Sequence, residues 1–499
     1  MAGLSRRFLL GGLLAGLAGE TLAKAPLVSL RPLRRPGASS AVAKVSAKAA
    51  PAASDLIAKA SLGGKVTFAV ADAKTGQLLE AERGDLPMPP ASTAKIVTSL
   101  YALSSLGPGY RFATRLIGTG PVTGGQLAGD LVLAGGGDPV LSTDSLGDMA
   151  ADLARVGIRG VSGGFRVWDG ALPYLGAIDR TQPDYLGYNP AVSGLNLNFN
   201  RVNFVWKRAG NDYEVGMDAR AERFAPPVYS ARIRIVDRDL PVYTYDKGTR
   251  FEDWTVARKA LGKGGSRWLP VRHPHLYAGD VFQTLARAAG VPLPAPAVVE
   301  ALPKGAVLVE QRSADLRTIL KDMMKYSTNM TAEAVGMTAS VRRGAKSHVA
   351  SGREMSGWLN QRAGISSARL VDHSGLGGAS RISAADMVQA MLRLGPAAGL
   401  KDLMKEFSFR DEAGRKLKGQ PIRVNAKTGT LNFVSALAGY MTAPDGRELV
   451  FAIFTGDVAR RDAIPVSQRE RPDGGKAWVR RSKQLQQQLI ERWAAVYSA

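Results

Sequence analysis

The stretch PASTAKIVTSLYALSSLGPG (Pro90–Gly109) decides how the chain is read. Ile96, Val97, Leu100, Tyr101 and Leu103 recur at helical spacing, and Gly107-Pro108-Gly109 ends the run. Ser92 and Lys95 therefore stand at the start of a helix, three residues apart on one face. A hydroxyl is a poor nucleophile until its proton is taken, and a lysine takes it when burial or a neighbouring cation leaves the amine neutral. A chain of this size contains about one or two Ser-x-x-Lys by chance, so the motif needs company.

Company comes later in the chain. Ser92-x-x-Lys95 is the sole Ser-x-x-Lys, and Ser327-Thr328-Asn329 the sole Ser-x-Asn. Ser327 falls between the helical patterns LRTILKDMMKY and TAEAVGMTASV, where a hydroxyl and an amide project into a cleft. Lys-Thr-Gly, a motif suited to gripping a carboxylate, occurs twice, within AKTG at Ala73–Gly76 and at Ala426–Gly429. The first joins the strand patterns KVTFAVAD and QLLEAE, so a hairpin tip is expected, with Gly76 where positive φ is wanted. The second has an apolar lead-in and is followed by VSALAGYMTA, a Pro444-Asp445-Gly446 turn and ELVFAIFTG, three successive antiparallel strands. AWVRRSKQLQQQLIERWAAVY closes the chain as an amphipathic helix, and SRISAADMVQAML signals another, with Ser383 and Asp386 at capping-box spacing.

In this order, Ser-x-x-Lys, Ser-x-Asn and Lys-Thr-Gly resemble the penicilloyl-serine transferase superfamily of penicillin-binding proteins and serine β-lactamases. The long gap between the first two motifs resembles the D-alanyl-D-alanine carboxypeptidase/endopeptidase family, the class C low-molecular-mass penicillin-binding proteins. So do GGGDPVL (Gly135–Leu141), SGLNLNFN (Ser193–Asn200), YSTNMTAE (Tyr326–Glu333) and DHSGLGGASRIS (Asp372–Ser383). His373 departs from that pattern, where a small residue or Gly is expected. The resemblance implies an α/β (α+β) fold: a β-lactamase/transpeptidase-like domain, an antiparallel sheet flanked by helices, interrupted by a large mainly β insertion that divides into two subdomains. It implies Ser92 as acylated nucleophile, Lys95 as general base, Ser327 as proton shuttle toward the leaving amine and Asn329 as partner of the substrate amide or of Lys95. Lys427 and Thr428 would bind the terminal carboxylate, Gly429 would let its strand approach closely, and the N–H groups of Ser92 and Thr430 would form an oxyanion hole. The implied substrates are peptidoglycan stem peptides, with β-lactam antibiotics as inhibitors and no cofactor or metal. A β-lactamase, or a wall-binding protein without catalysis, is the alternative.

Other motifs are read as structural. Asp372, His373 and Ser374 are triad residue types in a row, but adjacent residues do not converge on one another, and no Gly-x-Ser-x-Gly surrounds Ser374. His273 and His275 flank Pro274 with no third ligand, and Gly135–Gly137 lacks the Lys-Ser or Lys-Thr of a phosphate loop.

At the N-terminus, Arg6 and Arg7 precede an apolar run from Phe8 to about Ala18 and small residues near Ala23, the pattern of an export signal over residues 1–23, secretory or twin-arginine. Residues 24–54 hold six Lys or Arg and no acid, a disordered basic tether. The body then divides into a first transpeptidase part, 55–109, the insertion, 110–307, and a second part, 308–499. The chain has no cysteine, which excludes disulfides, thiolate metal sites and a cysteine nucleophile. Its net charge of +23 suits anionic wall polymers or a membrane surface in the periplasm. Nucleic acid is not expected, because no recognition motif accompanies the charge.

Overall fold

In the computed structural model the described residues are 50–248, 251–411 and 413–498; the expected export signal and nearly all of the tether lie outside them. The first helix, Ala53–Ala60, already begins within the stretch read as tether.

The framework is a six-stranded antiparallel sheet in the order Lys405–Glu406, Arg423–Leu431, Val434–Thr442, Glu448–Gly456, Lys65–Asp72 and Leu78–Glu82. The hairpin before the nucleophile thus pairs with strands nearly 400 residues later, Lys65 opposite Gly456 and Asp72 opposite Leu449. Helices cover both faces, so the middle strands carry no polar alternation; every residue of Val434–Thr442 is buried. On one face Leu437, Phe451, Ile453 and Phe68 pack against Trp478, Leu485, Leu489 and Trp493 of the Gly475–Tyr497 helix. On the other, small residues such as Ala436, Ala438 and Ala452 let the helices Ala94–Leu106, Asn329–Val341 and Ala384–Ala398 come close. Ser383 caps the last of these, accepting from the Asp386 N–H at 3.0 Å, while the Asp386 carboxylate turns to Ser367 and leaves the box half-formed.

The first AKTG is a turn. Asp72 Oδ1 accepts from the N–H groups of Lys74 and Thr75 at 2.9 and 2.8 Å, and Gly76 has φ of 73°. These bonds, the Thr75 N–H first and then Arg447, hold the Asp72 carboxyl down at about 2.

The insertion is built chiefly on strands. A mixed five-stranded sheet, ordered Pro296–Val298, Phe165–Trp168, Leu131–Ala134, Ala113–Gly118 and Ala306–Arg312, is accompanied by three three-stranded sheets. It also carries the helices Thr143–Arg155 and Pro274–Ala288, whose Leu146, Met149, Leu153, Val281 and Phe282 fill its core. Its last strand, Ala306–Arg312, pairs with Ala113–Gly118, so the inserted sheet runs through residue 312. Gly135 and Gly136 sit where an added Cβ would meet the carbonyls of Gly194 and Ala113 at 2.3 and 2.2 Å, a close packing of backbones. Leu172, Ile178 and Val192 of the insertion pack on Met330, Ala334 and Met337, which docks it against the helix that begins at Asn329.

Candidate active site

Ser92 lies in the single turn Ala91–Thr93 that leads into the Ala94–Leu106 helix, and Ala91 before it has φ of 45°, a left-handed conformation costly for a residue with a Cβ. Two glycines brace that turn. A Cβ on Gly375 would lie 1.8 Å from the Ala91 carbonyl oxygen, and one on Gly429 would lie 2.9 Å from the Ser92 nitrogen and the Pro90 oxygen. The Arg423–Leu431 strand can therefore reach the nucleophile only because residue 429 has no side chain.

Ser327 is the left-handed end (φ 59°) of the Leu316–Tyr326 helix, and its N–H returns to the Met323 carbonyl at 2.8 Å. The chain reverses there, and Asn329 opens the next helix. This break brings Ser-x-Asn to Ser92.

Lys95 is completely buried. Its Nζ lies 3.1 Å from Ser92 Oγ, 2.8 Å from Asn329 Oδ1 and 2.7 Å from the Ser374 carbonyl oxygen. The two carbonyl oxygens only accept, so they occupy two N–H groups of a neutral amine and leave its lone pair for the Ser92 hydroxyl. Burial, and after it the charge of Lys427, pushes the Lys95 amine well below its ordinary range, toward that neutral form. Asn329 is fixed from its other end, where Nδ2 donates to the Tyr188 carbonyl of the insertion at 3.0 Å.

Lys427 Nζ donates to Ser327 Oγ at 2.9 Å and to the Thr428 carbonyl at 2.8 Å. Burial, helped by Lys405, lowers its amine to about 8, which leaves it cationic at neutral pH. Thr428 and Thr430 are exposed. Lys405–Glu406 pairs the Arg423–Leu431 strand only at Asn425 and Ala426, so among the described residues no strand covers its edge from Lys427 onward. Hydrogen bonds thus link Ser92, Lys95 and Asn329, and Ser327 with Lys427, while Gly429 abuts Ser92 with Thr428 and Thr430 on either side of it along the strand.

The structure adds residues that motif reading missed. Glu333, fully buried one helical turn beyond Asn329, accepts from the N–H groups of His373 at 3.1 Å and Ser374 at 2.9 Å and lies 2.9 Å from His348 Nε2. Burial alone would raise this carboxyl; the hydrogen bond and charge of His348 outweigh it and hold it low. Glu333 thereby fixes the loop whose Ser374 carbonyl grips Lys95. The sequence signal was the one charged residue inside the otherwise uncharged helix NMTAEAVGMTASV.

The row Asp372-His373-Ser374 forms no relay. Asp372 accepts from Gly377 N–H and Ser380 Oγ, while Ser374 Oγ accepts from Leu376 N–H. His373, the departure from the family pattern, is buried with Nε2 2.6 Å from Ser351 Oγ. Gly336 makes room for its ring; a Cβ there would lie 2.2 Å from it. Burial lowers the imidazole to about 4, so it is neutral. His275 Nδ1 lies 3.1 Å from Asp169 Oδ2. Among the described residues no group of three or more His, Asp or Glu is gathered as for a metal.

Residues 50–471 match the model of the D-Ala-D-Ala carboxypeptidase 3 (S13) family. The chain is 28% identical over 443 residues, 80% of each chain, to a D-alanyl-D-alanine carboxypeptidase of Actinomadura sp. (strain R39). It is 25% identical over 446 residues, 84% of this chain and 92% of the other, to a D-alanyl-D-alanine carboxypeptidase of Haemophilus influenzae. Its fold matches the crystal structure of penicillin binding protein 4 from Haemophilus influenzae with a TM-score of 0.72 and 20% identity, covering 89% of this chain and 99% of that one.

Proposed function

The chain belongs to the D-Ala-D-Ala carboxypeptidase 3 (S13) family, and from that premise we propose how this serine peptidase works on peptidoglycan stem peptides. Ser92 Oγ attacks the carbonyl of the penultimate D-alanine while its proton passes to Lys95. The N–H groups of Ser92 and Thr430 hold the developing oxyanion, an arrangement that typically contributes about 3 kcal/mol. Lys427 and Thr428 hold the terminal carboxylate, and Ser327, bonded to Lys427, carries a proton to the departing amine. Water then cleaves the ester and frees Ser92. In a penicillin the cleaved amide lies in a ring, so the amine stays tethered to the acyl group and the adduct persists.

The observation that carries this reading is the buried Lys95 amine at 3.1 Å from Ser92 Oγ, its other bonds directed to carbonyl oxygens. A fluorescent penicillin should label the protein, and Ser92→Ala should abolish labelling while the circular dichroism spectrum stays unchanged. Label mapped to another serine would overturn the assignment.

The family acts on bacterial cell walls, and the sequence of residues 1–23 supports export to the periplasm, with contact between the basic chain and anionic wall or membrane polymers. N-terminal sequencing of the exported protein should read from near Lys24; retention of the Phe8–Ala18 run would show an anchor instead. Among the described residues no helix is long and apolar enough to cross a membrane.

A further inference from the structure

Two histidines meet the buried Glu333 carboxylate, His373 through its backbone N–H and His348 through its ring. The rings stand 6.4 Å apart and nearly perpendicular. His373, enclosed by Ser351, Met355 and Tyr101, is neutral. His348 is placed differently: its side chain is 15% exposed, which leaves its proton a path to solvent, and its Nε2 donates to Glu333 Oε2 at 2.9 Å. Among the described residues no Lys or Arg forms an ion pair with Glu333.

A histidine cation is out of place where His348 stands. It is the first residue of the His348–Ala363 helix, which Ser347 caps by accepting from the Ala350 N–H at 3.2 Å. A helix start favours anions, and no acid occupies that first turn. The pull on its proton comes from outside the helix. Burial opposes the charge, but the hydrogen bond and charge of Glu333, followed by the charge of Asp372, outweigh burial and lift the imidazole above its ordinary range. Asp372 is itself satisfied by Gly377 N–H and Ser380 Oγ, and burial raises its carboxyl to about 6.

Glu333 also acts on the catalytic lysine. It lies one turn after Asn329 on the same face of the helix, and its charge favours the protonated form of Lys95, against burial and Lys427. A buried carboxylate needs a cation beside it. Were Lys95 that cation, its amine would hold a proton and could not take one from Ser92.

We propose that His348 is a positioning residue for acylation: it is the counter-ion of Glu333, which keeps the Ser374 loop seated against Lys95 and leaves the Lys95 amine neutral to accept the Ser92 proton. The proposal rests on the acyl-enzyme reading above. His348 acts through Glu333 and the Ser374 carbonyl, and the bonds made and broken at Ser92 are unchanged.

The test is the rate of acylation by saturating penicillin, followed by stopped flow from pH 5 to 10 on the full chain. His348→Gln keeps an N–H for Glu333 and removes the charge; His348→Arg restores the charge. The Gln variant should acylate at about one fifth of the wild-type rate at pH 7 and come within about twofold by pH 9, because the acid limb set by Lys95 moves up by about one pH unit. Penicillin affinity should stay within about twofold, and the Arg variant should keep the wild-type limb and recover the rate at pH 7 to within about threefold. Ratios to wild type at each pH cancel the titration of Lys427. If the Gln variant does not fold, the Arg variant decides the matter: a displaced acid limb overturns the proposal. An unmoved limb in the Gln variant, or one equal loss at every pH, would also overturn it and make His348 a structural prop, while labelling at Ser92 still stood. Absence of Ser92 labelling in the wild type would instead mean that the acyl-enzyme reading itself had failed.

Discussion

Two lysines with the same neighbours in sequence meet different fates. Lys74 is exposed at a hairpin tip, whereas Lys427 is 2% exposed and bonded to Ser327. Loss of a charge-assisted contact costs about 1.5–3 kcal/mol, so Lys427→Ala should slow penicillin acylation at least about tenfold, and Lys74→Ala should leave it within about twofold. Equal losses in stopped-flow acylation would mean that the copies have been assigned wrongly. Titration gives a second check. The Lys427 amine sits at about 8 in the fold, below its ordinary 10.5, so it is cationic below pH 8 and loses its charge as pH rises through that value. KM for a carboxylate-terminated peptide should therefore climb between pH 8 and 10, and a flat profile would contradict the role. The same shift means that burying Lys427 costs stability below pH 8, a cost that fades as pH rises from 8 to 10.5.

At the level of elements, the close approach of the Arg423–Leu431 strand to the Ala91–Thr93 turn is the feature most exposed to test. Gly429→Ala places a methyl group 2.9 Å from the Ser92 nitrogen and should cut acylation at least about tenfold with the fold retained. Gly76→Ala meets nothing within 4 Å but keeps a φ of 73°; it should cost about 1 kcal/mol of stability and leave acylation unchanged. Comparable acylation by the two variants would remove the argument for close approach. These elements were legible because each rests on local pattern: the hairpin on Gly76, the nucleophile's helix on its apolar spacing, the three late strands on their turns. The inserted helices were missed: Leu146, Met149, Ala150 and Leu153 follow helical spacing, but surrounding strand-like runs masked it. The bonds from Lys95 to Asn329 and Ser374 span 234 and 279 residues. No local spacing reports such contacts, and the support that Glu333 gives the Ser374 loop became visible only in the fold.

For the molecule as a whole, the insertion does more than interrupt the sheet domain. Its Tyr188 carbonyl fixes Asn329, and its Leu172, Ile178 and Val192 pack behind the same helix, so the cleft is built from all three stretches of the body. The claim that unites these contacts is that they serve an acyl-enzyme at Ser92, and its most direct test is the site and lifetime of a penicillin adduct followed by mass spectrometry of the intact chain and its peptides. The account predicts one acyl group per chain, on the peptide containing Ser92, persisting for hours. No adduct, an adduct on another serine, or one cleared within seconds would contradict it.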